Sequence, residues 1–144
     1  WYQFSRSKLV EAVEPLTSRV RTTGLGRVPS RRYFAELAAS RMTLSPFGWG
    51  EVCFRDYEAV VLGSLLVKPD MSHLETSPDI YVAGETYVPV RWDFADAADV
   101  CDEYLRKPGE CRRIIRNARA ALASYYEGGG FVRDIERTLV RPLA

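Results

Sequence analysis

The sequence predicts an α/β layered domain built on a parallel sheet. Three observations predict it: helical and strand-like segments alternate at short loop lengths, Ser64-Leu65-Leu66-Val67 is an apolar run without alternation, and 47% of the 144 residues are apolar. Strands that alternate with helices favour parallel pairing through crossover helices. A strand covered on both faces also loses the polar–apolar alternation of a half-exposed one. A chain of this length fits one domain, residues 1–144, and can bury roughly two-thirds of its extended surface.

The first helix is expected from Ser5 or Ser7, residues suited to an N-cap, through Leu9, Val10, Val13 and Leu16 at helical spacing, ending near Pro15. Arg19 to Thr23, short, rich in β-branched residues and closed by Gly24-Leu25-Gly26, reads as a strand. Pro29-Ser30 opens a second helix whose Tyr33, Phe34, Leu37 and Ala38 would face a sheet. Met42-Thr43-Leu44 follows as a strand. A helix from Glu51 to Leu62 would bury Cys53, Tyr57, Val60 and Val61 and end at Gly63, where a C′ glycine belongs. Ser64 to Val67 is the buried strand. Tyr81-Val82 and Thr86-Tyr87-Val88 are short strand candidates around Ala83-Gly84-Glu85. Helices then run from Phe94 to Leu105 and from Glu110 to Glu127, where Ile114, Ile115, Ala118, Leu122 and Tyr125 would be buried. Gly128-Gly129-Gly130 stops the second, and Phe131, Ile135 and Leu139 mark a last amphipathic segment.

Charge and cysteine usage exclude several function classes. Lys and Arg number 20 against 19 Asp and Glu, so no global field selects nucleic acid or an anionic membrane. Arg112, Arg113, Arg116 and Arg119 lie near acidic residues and read as a solvated helix face. Three separated cysteines and one histidine do not suggest a metal site, and none is expected. The apolar stretch Ala59 to Val67 is well short of the roughly 20 residues that span a bilayer. The reading is a soluble, cytoplasmic protein, and the bulky Trp1, Tyr2 and Phe4 at the start suggest a piece of a longer one.

Chemistry is expected at the carboxyl ends of the strands, where parallel sheets bind ligands. Gly48 and Gly50 flank Trp49 between a strand and a helix, so their N–H groups could approach a phosphate, or they could form an ordinary turn. Trp49 could stack on a ring or cover the loop. Glu51 and Glu58, seven apart on a helix, would share a face about 10.5 Å apart along its axis, a separation that suits two ends of a ligand. Glu58 has Phe54 and Leu62 as helical neighbours, and a partly buried carboxylate needs partners: ligand hydroxyls or Arg55. Ser72 and the lone His73, with Asp70, Glu75 and Thr76, crowd a loop that could hold a charged ligand.

The helix Arg31 to Ser40, then Ser45-Pro46-Phe47-Gly48-Trp49-Gly50-Glu51, Tyr57-Glu58-Ala59 and Gly63 follow in a specific order. The loop Asp70 to Glu75, Gly84-Glu85-Thr86-Tyr87, Asp93, Asp96 and the Arg-rich helix continue it. From Gly24 onward this order resembles the C-terminal half of group 1, GT-B-type glycosyltransferases, particularly the CgeB-like branch. The resemblance implies a three-layer Rossmann-like domain with a mostly parallel sheet that binds a nucleotide-sugar donor, with the acceptor on a separate N-terminal half. It implies that Glu58 binds the donor ribose hydroxyls, that N–H groups of Gly48 to Gly50 face the diphosphate or sugar, and that the backbone of Arg27 and Val28 borders the base. No metal is implied, because protein dipoles and basic side chains stabilise the leaving diphosphate. The family's paired glutamates usually enclose seven residues and here enclose six, so Gly50 stands in the expected slot. Glu51 is the candidate catalytic residue. The family's diphosphate-clamping Arg and Lys would lie before residue 1, so the chain alone is expected to be inactive. The alternative is a non-catalytic α/β interaction domain, in which Glu58 pairs with Arg55.

Overall fold

The computed structural model describes residues 2–23 and 28–140. Its order is α1 (Tyr2–Val13), a 3-10 turn (Glu14–Leu16), α2 (Ser30–Ala39), β1 (Met42–Leu44), α3 (Phe54–Leu62), β2 (Leu65–Pro69) and β3 (Val88–Val90). Then come α4 (Ala97–Leu105), α5 (Pro108–Glu127), α6 (Gly130–Ile135) and a wide helical turn (Glu136–Val140). The three strands form one parallel sheet in the order β1-β2-β3, with Met42 opposite Leu65 and Val67 opposite Val88. This is a mixed α/β, Rossmann-like domain.

β2 is central and buried along its whole length, which is why its sequence shows no alternation. Its side chains nevertheless alternate between two cores. Leu65 and Val67 pack with Leu9 of α1, Ala97 of α4, Phe94 and Ile114. Leu66 packs on the other face with Leu37 of α2, Ala59 and Val60 of α3, Ala118 and Leu122. Ile114, Ala118 and Leu122 recur every four residues along α5, so one helix of 20 residues serves both cores.

Gly63 ends α3 as expected. At φ +81° it lets its own N–H reach the Val60 carbonyl and the Ser64 N–H reach that of Ala59, a pattern that satisfies the last carbonyls of the helix.

Four expectations are corrected. Residues 19–23 form no strand: the N–H groups of Arg19 and Val20 both close on the Leu16 carbonyl at 2.9 Å, continuing the turn after α1. Tyr81-Val82 is also not a strand, because side chains take its N–H groups: Tyr81 N–H bonds Asp79 Oδ1 at 3.1 Å and Val82 N–H bonds Thr86 Oγ1 at 2.8 Å. β3 starts at Val88 and holds Pro89, whose missing N–H is tolerated at the sheet's edge.

The third correction concerns α3, which begins at Phe54 and not at Glu51. Cys53 is extended, and its N–H is capped by Asp56 Oδ2 at 3.0 Å. Glu51 therefore stands outside the helix and does not share a helical face with Glu58. The buried face of α3 carries Asp56, Ala59 and Val60, whereas Val61, expected inside, is exposed. Similarly, α2 buries only Leu37 of its expected stripe and leaves Phe34 exposed. The fourth correction is the start of α4 at Ala97. Phe94 adopts φ +59°, and the Asp93 and Asp96 carboxylates bond the N–H groups of Ala95 and Arg91, building a turn before the helix.

Candidate functional site

The loops 45–53, 70–76 and 91–96 follow β1, β2 and β3, so all three lie at the carboxyl edge of the sheet. The first of them forms a cleft of about 370 Å³, with Arg6 of α1 on one side and Tyr33 of α2 and Glu58 of α3 on another. Residues 46–50 and 52–55, Arg55 among them, supply the remaining wall. α1 is tied to this wall because the Phe47 N–H donates to buried Ser5 Oγ at 3.2 Å.

Glu58 points away from the sheet into the cleft. Tyr33 Oη donates to its Oε2 at 2.6 Å, so the partner the structure gives this carboxylate is a phenol of α2 and not Arg55. Burial, and then this bond, pushes the Tyr33 phenol up to about 12. A carboxylate has about four acceptor positions, so one bond leaves capacity for ligand hydroxyls. Glu58 also borders a second, shallower cavity of about 240 Å³, walled by Phe34, Tyr57, Val61 and Leu62.

The two glycines of the loop differ. A Cβ on Gly48 would stand 3.1 Å from Cys53 Sγ, whereas one on Gly50 would meet nothing within 4 Å. The Gly48 N–H bonds the Gly50 carbonyl at 3.0 Å, so residues 48–50 form their own turn ahead of the helix and do not supply its first N–H groups. Trp49 at the tip of that turn is 99% exposed. Cys53 lines the cleft, but burial pushes its thiol up, so it is protonated at neutral pH and is no nucleophile.

Behind the wall lies a charged pair that the sequence reading did not single out. Lys68 and Asp56 are both completely buried, with Nζ 3.1 Å from Oδ2. The same Oδ2 accepts Tyr81 Oη at 2.7 Å, and Lys68 Nζ stands 5.1 Å from the centre of the Phe47 ring. A lysine in an otherwise apolar strand, with an aspartate three residues after Cys53, was the available signal. Arg6 gave none, because its place at the cleft depends on contacts between residues some 40 positions apart.

Of the other candidates, Ser72 is engaged by Asp70. Its N–H and hydroxyl donate to the two carboxylate oxygens at 3.0 and 2.9 Å, and the N–H bond foremost holds the Asp70 carboxyl below its ordinary value. His73 packs against Trp92, with ring centres 5.1 Å apart, and Trp92 meets Phe47 edge-on. Neither Ser72 nor His73 lines the cleft. Glu51 is half-buried in the loop and does not line it either, and Val28 lies just before α2. Arg27 falls outside the described residues. Among the described residues no group of His, Cys, Asp and Glu could hold a metal ion, and no helix is long and apolar enough to cross a membrane.

The sequence model of a family described as "Glycosyl transferase-like" matches residues 6–135, from the α1 arginine at the cleft to the end of α6. The chain belongs to the glycosyl transferase-like family. The match takes in every residue of the cleft wall, so the family's activity, glycosyl transfer, and the cleft occupy the same stretch of chain. No curated protein matches the chain, and no solved structure does.

Proposed function

We propose that this chain is the donor-binding domain of a group 1, GT-B-type glycosyltransferase of the CgeB-like branch, and that its cleft takes a nucleotide-sugar. The observation that carries this reading is Glu58: a charged acceptor, oriented by Tyr33, set where a parallel sheet places its ligands. Adjacent ribose hydroxyls match the remaining carboxylate positions, and hydrogen bonds to a charged acceptor are the stronger kind. The turn at Gly48 to Gly50 lets backbone approach the sugar or diphosphate, and Arg6 and Arg55 supply cations in the cleft wall. Arg6 thus takes a part that the resemblance assigned to residues upstream of this chain. The acceptor sits on a second, N-terminal domain, and no metal is needed because Arg6 and backbone dipoles meet the leaving diphosphate.

Calorimetric titration with nucleoside diphosphates tests this. Glu58→Ala should weaken binding by about 1.5–3 kcal/mol, the usual cost of losing hydrogen bonds to a charged group. Unchanged affinity would remove the ribose assignment and favour the non-catalytic interaction domain.

A further inference from the structure

The buried pair behind the cleft is expensive as a source of stability. Lys68 Nζ, Asp56 Oδ1 and Ser45 Oγ are buried without a well-aligned hydrogen bond to protein, although Nζ stands 3.1 Å from Asp56 Oδ2. Replacing such a pair with apolar groups of similar volume is often neutral or stabilising, so a fold gains little net energy by keeping one. Its geometry suggests another use. Oδ2 of Asp56 gathers two hydrogen bonds, from Cys53 N–H at the start of α3 and Tyr81 Oη from the loop after β2, and faces the buried charge of Lys68 Nζ from β2 at 3.1 Å.

Asp56 and Glu58 are two residues apart on α3, which at 3.6 residues per turn puts them about 200° apart around the helix. One therefore faces the sheet while the other faces the cleft. Apolar packing tolerates a helix rolling on its axis, whereas a hydrogen bond and a buried counter-charge that hold one carboxylate oxygen from outside the helix do not. At a side-chain radius of about 5–6 Å, a roll of about 20° moves a carboxylate about 2 Å. That displacement is enough to break the 2.6 Å bond between Tyr33 and Glu58.

We propose that Asp56, Lys68 and Tyr81 are positioning residues that fix the rotation of α3 and thereby hold Glu58 against Tyr33 for ligand binding. The link to ligand binding rests on the function proposed above. The placement of Glu58 does not, and the test separates the two.

The test compares wild type with the triple variant Asp56→Leu, Lys68→Met, Tyr81→Phe, which replaces the polar group with apolar side chains of similar volume. Thermal unfolding should show a folded protein. Carbon-13 labelling of tyrosine reads the Tyr33 phenol directly, and its titration should fall from about 12 toward the ordinary value of about 10 as Glu58 swings away. Nucleoside diphosphate affinity should fall about tenfold, and the triple change should add no further loss on a Glu58→Gln background, because both act through one carboxylate. A folded triple variant whose Tyr33 titrates as in wild type overturns the inference. A displaced Tyr33 titration with unchanged affinity supports the positioning role and removes the ribose reading instead. If the triple variant does not fold, Tyr81→Phe alone carries the same comparison. It removes one donor to Asp56 and should shift Tyr33 in the same direction by less, and an unshifted Tyr33 there overturns the inference equally.

Discussion

At the scale of single residues, the cleft separates groups by the chemistry they can offer. Tyr33 and Glu58 share one short bond, and removing the phenol hydroxyl frees the carboxylate to take other rotamers. Tyr33→Phe should therefore weaken nucleoside diphosphate binding by about 0.5–1.5 kcal/mol, less than Glu58→Ala, as expected for loss of a single orienting hydrogen bond. Equal losses in the two variants would mean that the phenol itself contacts ligand. Arg6 admits a sharper test, because a cation on phosphate discriminates ligands by charge. In Arg6→Ala, affinity for a nucleoside diphosphate should drop by about 1.5–3 kcal/mol while affinity for the nucleoside alone stays level. Calorimetry on the two ligands checks this, and a uniform loss would place Arg6 away from the phosphates. Glu58 was legible in the sequence because a carboxylate among apolar helical neighbours calls for an explanation. Asp56 was not: at N3 of a helix an aspartate already has a sufficient local reason, and its burial is visible only once β2 and the loop at Tyr81 are packed around it.

At the scale of elements, the sequence reading was most reliable where one face or one backbone conformation dictates the residues. β2, Gly63 and the spacing of α5 are of this kind, each set by burial on two faces, by a left-handed backbone or by an i, i+4 repeat. It failed where side chains replaced backbone partners, as Asp79 and Thr86 do at Tyr81-Val82, because such bonds are invisible to periodicity. The same cause displaced the start of α3, since Asp56 caps Cys53 and leaves Glu51 in the loop. The loop glycines separate fold from ligand approach. Gly48→Ala should be the less stable of the two alanine variants, because its Cβ would stand 3.1 Å from Cys53 Sγ, whereas Gly50→Ala should stay within about 0.5 kcal/mol of wild type. If backbone approaches the ligand at this turn, Gly50→Ala should still weaken nucleotide binding. Chemical unfolding alongside calorimetry would distinguish the two effects, and a destabilised Gly50→Ala would contradict the open space around that residue.

At the scale of the whole molecule, several carboxylates are tuned by the fold in one direction. Asp70 is held low chiefly by the Ser72 N–H, Glu110 by Arg113 and Asp134 by the Ser77 side chain. A carboxyl depressed in the folded state contributes stability above its unfolded value of about 4 and loses it as pH falls through the folded value. The thermal midpoint should accordingly decline as pH falls below about 4, and a flat midpoint there would show that these bonds do not persist in solution. A different consequence follows from α5. Ile114 belongs to the core on one side of the sheet and Ala118 and Leu122 to the core on the other, so neither core can open while this helix stays in place. Native-state hydrogen exchange should then find the amides of α5 and β2 released together in one opening, as a single cooperative unit with a common protection. α6, whose Phe131 and Val132 remain exposed, should exchange earlier and separately. A helix that carries no residue of the cleft would thus decide whether the cleft exists at all.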